Sequence, residues 1–394
     1  MSFPNTADTV IIGGGVIGTS AAFQLAARGQ RVVLVEKNFL AAGSTGRSSA
    51  IVRQHYSNAL TARMALYALR MFQNFDERVG GNADFRNTGF VVLVSARDEA
   101  GLRENVAMQQ KVGIQVTLIS PQELRELDPS FVASELVAAA YEPEGGYADP
   151  VAVTQSFAEG ARGRGAEIWQ DTRVTRVLME RERVVGVETT RGMIAAPNVV
   201  NCANAWAPSI AAPLGISLPI QPERHQIALF QQQPQREKPR LVVGDFTQQI
   251  YYRPEGPALT LVGSVAPDGQ AIANPDAYNS GADDEYIERV GEQLMHRHPA
   301  MAHSFSKGGY AGMYAVTPDW HPIIDEIPAG SGFFVAAGFS GHGFKLSPAV
   351  GVMIADMVTR QAEPTAQLER ALFRYARFAE NDPVRGKYEY SIIG

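Results

Sequence analysis

Apolar residues in this chain cluster in short, dense runs broken by glycine and proline, and the changing period of those runs predicts alternating strands and helices. From residue 8, DTVIIGGGVIGTSAAFQLAARGQRVVLVEK reads as a β-rich run, a glycine turn, a helix ending at Gly29 and a second β-rich run, RVVLVE. That is one βαβ unit. Further strands are expected at FVVLVS near 90–95, at RVTRVLME and RVVGVETT between 173 and 190, and at PNVVNCA near 197–203. The polar, proline-containing region 219–265 reads as strands (HQIALF, QIYYR, LTLVGS) joined by loops, and 283–297 as an amphipathic helix. Near the end, GFFVAAGFSGHGF is a strand running into a glycine turn, with a helix expected after Lys345 over LSPAVGVMIADMVTR. Strands of one kind therefore recur early, in the middle and late. The expected architecture is α/β: a Rossmann-like nucleotide-binding domain in three pieces, 1–85, 149–218 and 322–394, with a second domain inserted as 86–148 and 219–321.

The uncharged stretch Val10 to Ala27 approaches the length of a membrane span. Its three consecutive glycines, followed by Gly18, Thr19 and Ser20, argue instead for strand, turn and helix. No membrane span is expected elsewhere. The 394 residues are 45% hydrophobic and 19% charged, enough for a sizeable core in two connected domains. A net charge of −6 without a basic block speaks against a nucleic-acid partner. The single cysteine, Cys202, excludes an intramolecular disulfide and a cysteine-only zinc site, and no other metal-ligand spacing is present. Together with the lack of a basic segment ahead of the first apolar run, this points to a reducing, cytoplasmic location.

Gly13, Gly15 and Gly18 form GxGxxG between a strand and a helix, the context a dinucleotide fingerprint requires. The first permits a tight turn, the second brings a pyrophosphate against the backbone, and the third lets helix and strand pack closely. Glu36 closes the second strand 21 residues after Gly15, where an acid accepts hydrogen bonds from a ribose and disfavours a 2′-phosphate. These residues leave FAD and NAD undivided.

Three further segments carry more: AAGSTGRSSAIVRQHY after Glu36, YAGMYAVTPDWHPIID, and FFVAAGFSGHGFKLSPAVG. In sequence, order and spacing they resemble the D-amino-acid-oxidase (DAO) superfamily of flavoenzymes, nearest its sarcosine oxidase, dimethylglycine dehydrogenase and glycine oxidase branch. The resemblance extends over nearly the whole chain, including GYADPVAVTQSFAEGARGRGAEI and the segment Ala203 to Trp206. It implies FAD as cofactor, a glutathione-reductase type FAD-binding domain, and a substrate domain built on a mixed antiparallel sheet flanked by helices. It implies cofactor contacts at Val16, Ile17, Lys37, Val174, Ala203, Trp206, Met313, Phe344 and Lys345, besides the fingerprint residues. Gly43, Ser44, Ser48, Ser49 and Ala50 give a small, hydroxyl-rich segment able to run beside a pyrophosphate and the flavin edge. Gly341, His342 and Gly343 supply close backbone approach and a helix N-terminus, whose dipole stabilises negative charge on reduced flavin.

Arg53 and Lys345 match positions that grip the substrate carboxylate in sarcosine oxidases. Of the adjacent Tyr251 and Tyr252 only one can face the site, and Tyr252 is expected there; Tyr314 sits where the family places a phenol. His321 is expected to be structural, and His342 to lie near the ring. Departures from the pattern matter as well. Gly312 stands where monomeric sarcosine oxidases carry a flavin-linking cysteine, so non-covalent FAD is expected. Leu261 replaces an oxygen-activating lysine and Ala50 an arginine over the flavin; Asn204 stands where glycine is usual.

The implied reaction is hydride transfer from a small secondary or tertiary N-methyl amino acid, sarcosine- or dimethylglycine-like, to flavin N5, followed by imine hydrolysis. Glycine, D-amino acids or proline are the alternative substrates. A nicotinamide-dependent dehydrogenase and a silent flavin-binding subunit of a larger complex are the rival readings. The electron acceptor (oxygen, a quinone or an electron-transfer protein) and the oligomeric state are left open by the sequence.

Overall fold

The computed structural model describes residues 5–361 and 371–386. Its first sheet runs in the order Ile323–Glu326, Phe333–Ala337, Asn198–Asn201, Thr9–Ile12, Val32–Val35, Glu167–Trp169. All neighbours are parallel except the first two strands. The central strands are buried on both faces, which is why they read as unbroken apolar runs.

Helix Val16–Ala27 packs against Gly343–Thr359 and Pro150–Arg162. Their closeness depends on small residues: a Cβ on Gly351 would lie 2.3 Å from Ser20 Oγ, and that hydroxyl donates to the Ser347 carbonyl at 2.8 Å. The uncharged stretch 10–27 is thus strand, turn and a 12-residue helix. Among the described residues no helix is long and apolar enough to cross a membrane.

A second sheet has nine strands, ordered Gln270–Ala271, Gln221–Gln231, Leu259–Ser264, Ile250–Glu255, Val242–Asp245, Phe90–Val94, Ala138–Glu142, Thr117–Ile119, with Phe305–Val316 also paired to Gln221–Gln231. Only Val242–Asp245 and Phe90–Val94 run parallel. Helix Asp284–Arg297 covers its far face. Strands of the first sheet lie within 1–85, 149–218 and 322–394, and those of the second within 86–148 and 219–321. Between them, Ile51–Val52 and Arg86–Asn87 flank Gly146–Tyr147 in a small antiparallel sheet. A fourth sheet, also antiparallel, joins Val174–Glu180, Arg183–Thr189 and Gly192–Ala195.

Two helix boundaries differ from expectation. The first helix ends at Ala27, and Gly29 makes the turn at φ +77°. The last begins at Gly343, not after Lys345. Pro348 suggests a later start because proline favours the first helical position; here it lies inside the helix, and Lys345 falls in the first turn.

Candidate active site

The glycine fingerprint forms a pocket that side chains could not occupy. Gly13 adopts φ +111°, and a Cβ there would come 2.8 Å from the Cys202 carbonyl; on Gly18 it would come 2.0 Å from the Gly13 carbonyl. Gly15 caps the first helix without a side-chain bond, and no acid lies in the first turn. An anion is therefore favoured at that end. Val16 and Ile17 are buried in that turn, and the Val16 N–H donates to Thr45 Oγ1 at 3.2 Å. The Glu36 carboxylate accepts from Gly14 N–H at 2.7 Å and from Asn38 N–H at 2.8 Å, which fixes it at the strand end.

Lys37 pairs with Asp276 and lies 4.0 Å over the Trp206 ring, whose Nε1 also donates to Asp276 at 3.1 Å. Gly43 leaves room against the same indole. Ala203 borders Gly13, while Val174 is half-buried at the start of its strand. Ser44 Oγ is buried without a hydrogen-bond partner. Ser48 Oγ accepts from Ala50 N–H, and Ala50 sits at φ +51°. The Ser49 carbonyl accepts from Arg253 Nε at 2.6 Å, a clamp that the sequence reading missed.

At the other end, the glycine loop meets this segment. Gly341 has φ +88°, and a Cβ on it would lie 2.5 Å from the Tyr314 ring. His342 precedes helix Gly343–Thr359; its Nδ1 is 3.3 Å from Tyr56 OH and its Nε2 is buried without a partner. Phe344 stacks on Phe72. Asn204 is explained here: at φ +47° it occupies the left-handed region that asparagine tolerates better than most residues, and its Oδ1 accepts from Gly338 N–H at 3.2 Å. His321 is held by the Asp319 carbonyl and Asn58.

Arg53 and Lys345 are both buried, and their charges reach the same groups: Arg53 acts on Lys345, and both act on His342. Burial, then Arg53, holds the Lys345 ammonium well below its ordinary range. The Arg53 guanidinium donates to the His55 carbonyl and lies 4.6 Å over the Tyr56 ring. Tyr314 is within the field of Arg53 and beside Tyr251; burial pushes both phenols up.

The expectation for Tyr252 fails. Its hydroxyl lies 2.8 Å from His298 Nε2, among Phe131, Val243, Val262 and Leu294 on the far face of the sheet. Tyr251 is the tyrosine on the near face, its ring lying flat across Gly263, where a Cβ would meet it at 2.1 Å. Met313 likewise directs its side chain into the apolar cluster with Ala205, Ile323 and Val335, because it alternates with Tyr314. Gly312 faces Arg47, and buried Leu261 lies opposite Arg253.

Orphaned Ser44 Oγ, the acid-free helix start and the glycines without room for Cβ all suit a pyrophosphate, and His342 Nε2 at a second helix start suits a ring edge. A profile of the DAO family, FAD dependent oxidoreductases, matches residues 8–357. The chain belongs to this family. Its mixed α/β fold is that of the family's flavoenzymes.

It is 32% identical to L-proline dehydrogenase from P. horikoshii, with a TM-score of 0.89 over 97% of this chain and 100% of that one. Among curated proteins it is 29% identical to the mouse mitochondrial pyruvate dehydrogenase phosphatase regulatory subunit and 26% identical to human mitochondrial sarcosine dehydrogenase, over 90% of this chain in each case. The chain spans only 42% and 40% of those two relatives. Glycine oxidase from Geobacillus kaustophilus shares the fold, at 24% identity and a TM-score of 0.80.

Proposed function

We propose that the chain oxidises the C–N bond of a small amino acid whose carboxylate is held by Arg53 and Lys345, with sarcosine- or dimethylglycine-like N-methyl amino acids as the first substrate class. The observation that carries this reading is the burial of both side chains, close enough that the Arg53 charge adds to burial in disfavouring the Lys345 ammonium. An arriving carboxylate offsets that charge and favours the ammonium form of Lys345. The guanidinium gives planar, two-point recognition and the ammonium a point charge. Tyr251 and Tyr314 border the same space and restrict its size.

Bound FAD supplies the hydride acceptor. The residues above fix the substrate so that the carbon beside nitrogen faces the ring, and proximity to the cations disfavours the protonated amine. The amine lone pair assists as the hydride leaves, and water hydrolyses the imine product. In this reading the six-stranded sheet with its helices is the FAD domain and the nine-stranded sheet the substrate domain. The flavin is held without a covalent bond, since the only cysteine is buried behind Gly13. Acid precipitation is expected to leave all flavin in the supernatant; flavin remaining with the chain contradicts this.

A second reading, a cyclic imino acid such as proline, is favoured by the full-length similarity to L-proline dehydrogenase. Apolar Leu261 favours an acceptor other than oxygen, a quinone or an electron-transfer protein. Anaerobic addition of sarcosine, dimethylglycine, glycine, D-alanine and L-proline to the purified holoprotein tests all of this. The expected result is bleaching of the flavin by an N-methyl amino acid; bleaching by proline alone selects the second reading. A flavin that stays oxidised with every compound overturns the enzymatic assignment in favour of a silent subunit.

A further inference from the structure

We propose that Glu142 is a positioning residue of the carboxylate grip: it pins the turn that presents Arg53 and sets how much of that cation's charge is open to a bound carboxylate. The inference rests on the preceding reading of Arg53.

Glu142 ends the strand Ala138–Glu142, otherwise small and apolar, and is completely buried. Its Oε2 accepts from the Gln54 N–H at 2.8 Å, while Oε1 has no hydrogen-bond partner and lies 3.9 Å from His55 Nδ1. Arg53 is tied to the same turn from the other side, through its bond to the His55 carbonyl. Phe90, the direct cross-strand neighbour of Glu142, also lies 6.0 Å from the guanidinium. The Gln54 amide is fully buried with neither end partnered, so the turn carries more polar capacity than the fold consumes.

The groups facing this carboxylate can be named. On the turn they are Arg53, His55 and Tyr56; the adjoining strand Phe90–Val94 has no titratable residue; Lys345 and His342 face Arg53 from the last helix. Burial, and then Arg53, hold His55 down at about 3, and burial pushes Tyr56 up to about 12, so both stay neutral near pH 7. Burial lifts Glu142 to about 7, against the opposing pull of the Gln54 N–H and Arg53. Below that pH the neutral acid no longer draws on the Arg53 charge. Above it, the carboxylate competes with the ligand for that charge. Binding of a carboxylate must then draw a proton onto Glu142, by linkage.

The test is calorimetric titration of the FAD-loaded protein with acetate at pH 6, 7 and 8, in buffers of different ionisation heat. Wild type is expected to lose about tenfold in acetate affinity from pH 6 to pH 8, with proton uptake near pH 7. Glu142→Gln, which can still accept from the Gln54 N–H, should bind acetate at the low-pH affinity throughout and take up no proton. A pH step and proton uptake that persist unchanged in Glu142→Gln overturn the inference. If that variant does not fold, Lys345→Met decides: weaker binding that keeps the step supports Glu142, whereas loss of the step assigns it to Lys345 and overturns the inference. Acetate that fails to bind wild type at any pH sinks the carboxylate reading itself, a separate outcome.

Discussion

On the far face of the nine-stranded sheet, buried Arg297 bonds Asp245 at 2.7 Å, Thr247 Oγ1 at 2.7 Å and the Val132 carbonyl, with Glu135 at 2.8 Å. On the near face, buried Lys345 has another cation, Arg53, as its electrostatic neighbour. Both cations have been taken out of water at a cost of several kcal/mol. In the first case the fold offsets that cost with its own acids. In the proposed reading the second is offset by the carboxylate of a bound substrate. The contrast separates a structural cation from a binding cation better than burial does, since burial is common to both.

The largest effect should come from exchanging these roles. Lys345→Met or Arg53→Met is expected to weaken acetate or substrate by about a hundredfold or more, while FAD stays bound; Lys345→Met should leave the unfolding midpoint unchanged or higher. Asp245→Ala should do the reverse, costing about 3–5 kcal/mol of unfolding free energy by stranding Arg297 with little change in substrate constant. Urea melts and anaerobic flavin titrations on the three variants check this; equal destabilisation by all three would erase the distinction.

A smaller contrast concerns adjacent tyrosines. Tyr252→Phe removes the hydroxyl bonded to His298 and should cost about 1 kcal/mol of stability without altering flavin reduction. Tyr251→Phe should alter reduction kinetics and spare stability. Stopped-flow reduction and thermal unfolding separate them, and the opposite assignment would return Tyr252 to the site.

A further contrast is the pH dependence of stability. Burial holds His55 at about 3 and His298 at about 4, below the ordinary 6.5. The unfolded chain therefore binds protons that the native one excludes, so stability falls as pH drops from about 6.5 toward 4, by up to about 1.4 kcal/mol per pH unit for each histidine. Urea midpoints at pH 6.5 and 4.5 measure it; a flat profile would mean that these rings charge without unfolding.

In the proposed site, the fingerprint glycines, Glu36 and the SGHGFK loop were legible as local features, a turn needing positive φ, a strand-end acid or a helix start, whereas Arg53 and Lys345 stood out only through the resemblance. Tyr251 was not legible. The sheet is buried on both faces, so alternation along QIYYR shows that one tyrosine faces each side without showing which of them meets His298 on the far face. Glu142 was missed for a different reason. AAAYE reads as a plain buried strand, and its carboxylate gains meaning only from Gln54, 88 residues away. A lone acid ending an apolar strand was the available signal. Asn204 became intelligible once its φ and its bond to Gly338 were known.

The amino-acid sequence by itself determined the βαβ unit and the dinucleotide fingerprint, because these depend on short-range periodicity and on glycines at fixed offsets, and its likeness to known flavoenzymes determined the family. Only the tertiary structure decided which tyrosine of QIYYR shares a face with Gly263, where the final helix begins, and that Arg297 is met by the fold's own acids. Those depend on distances between residues far apart along the chain, and a charge has no surroundings until the chain has folded around it.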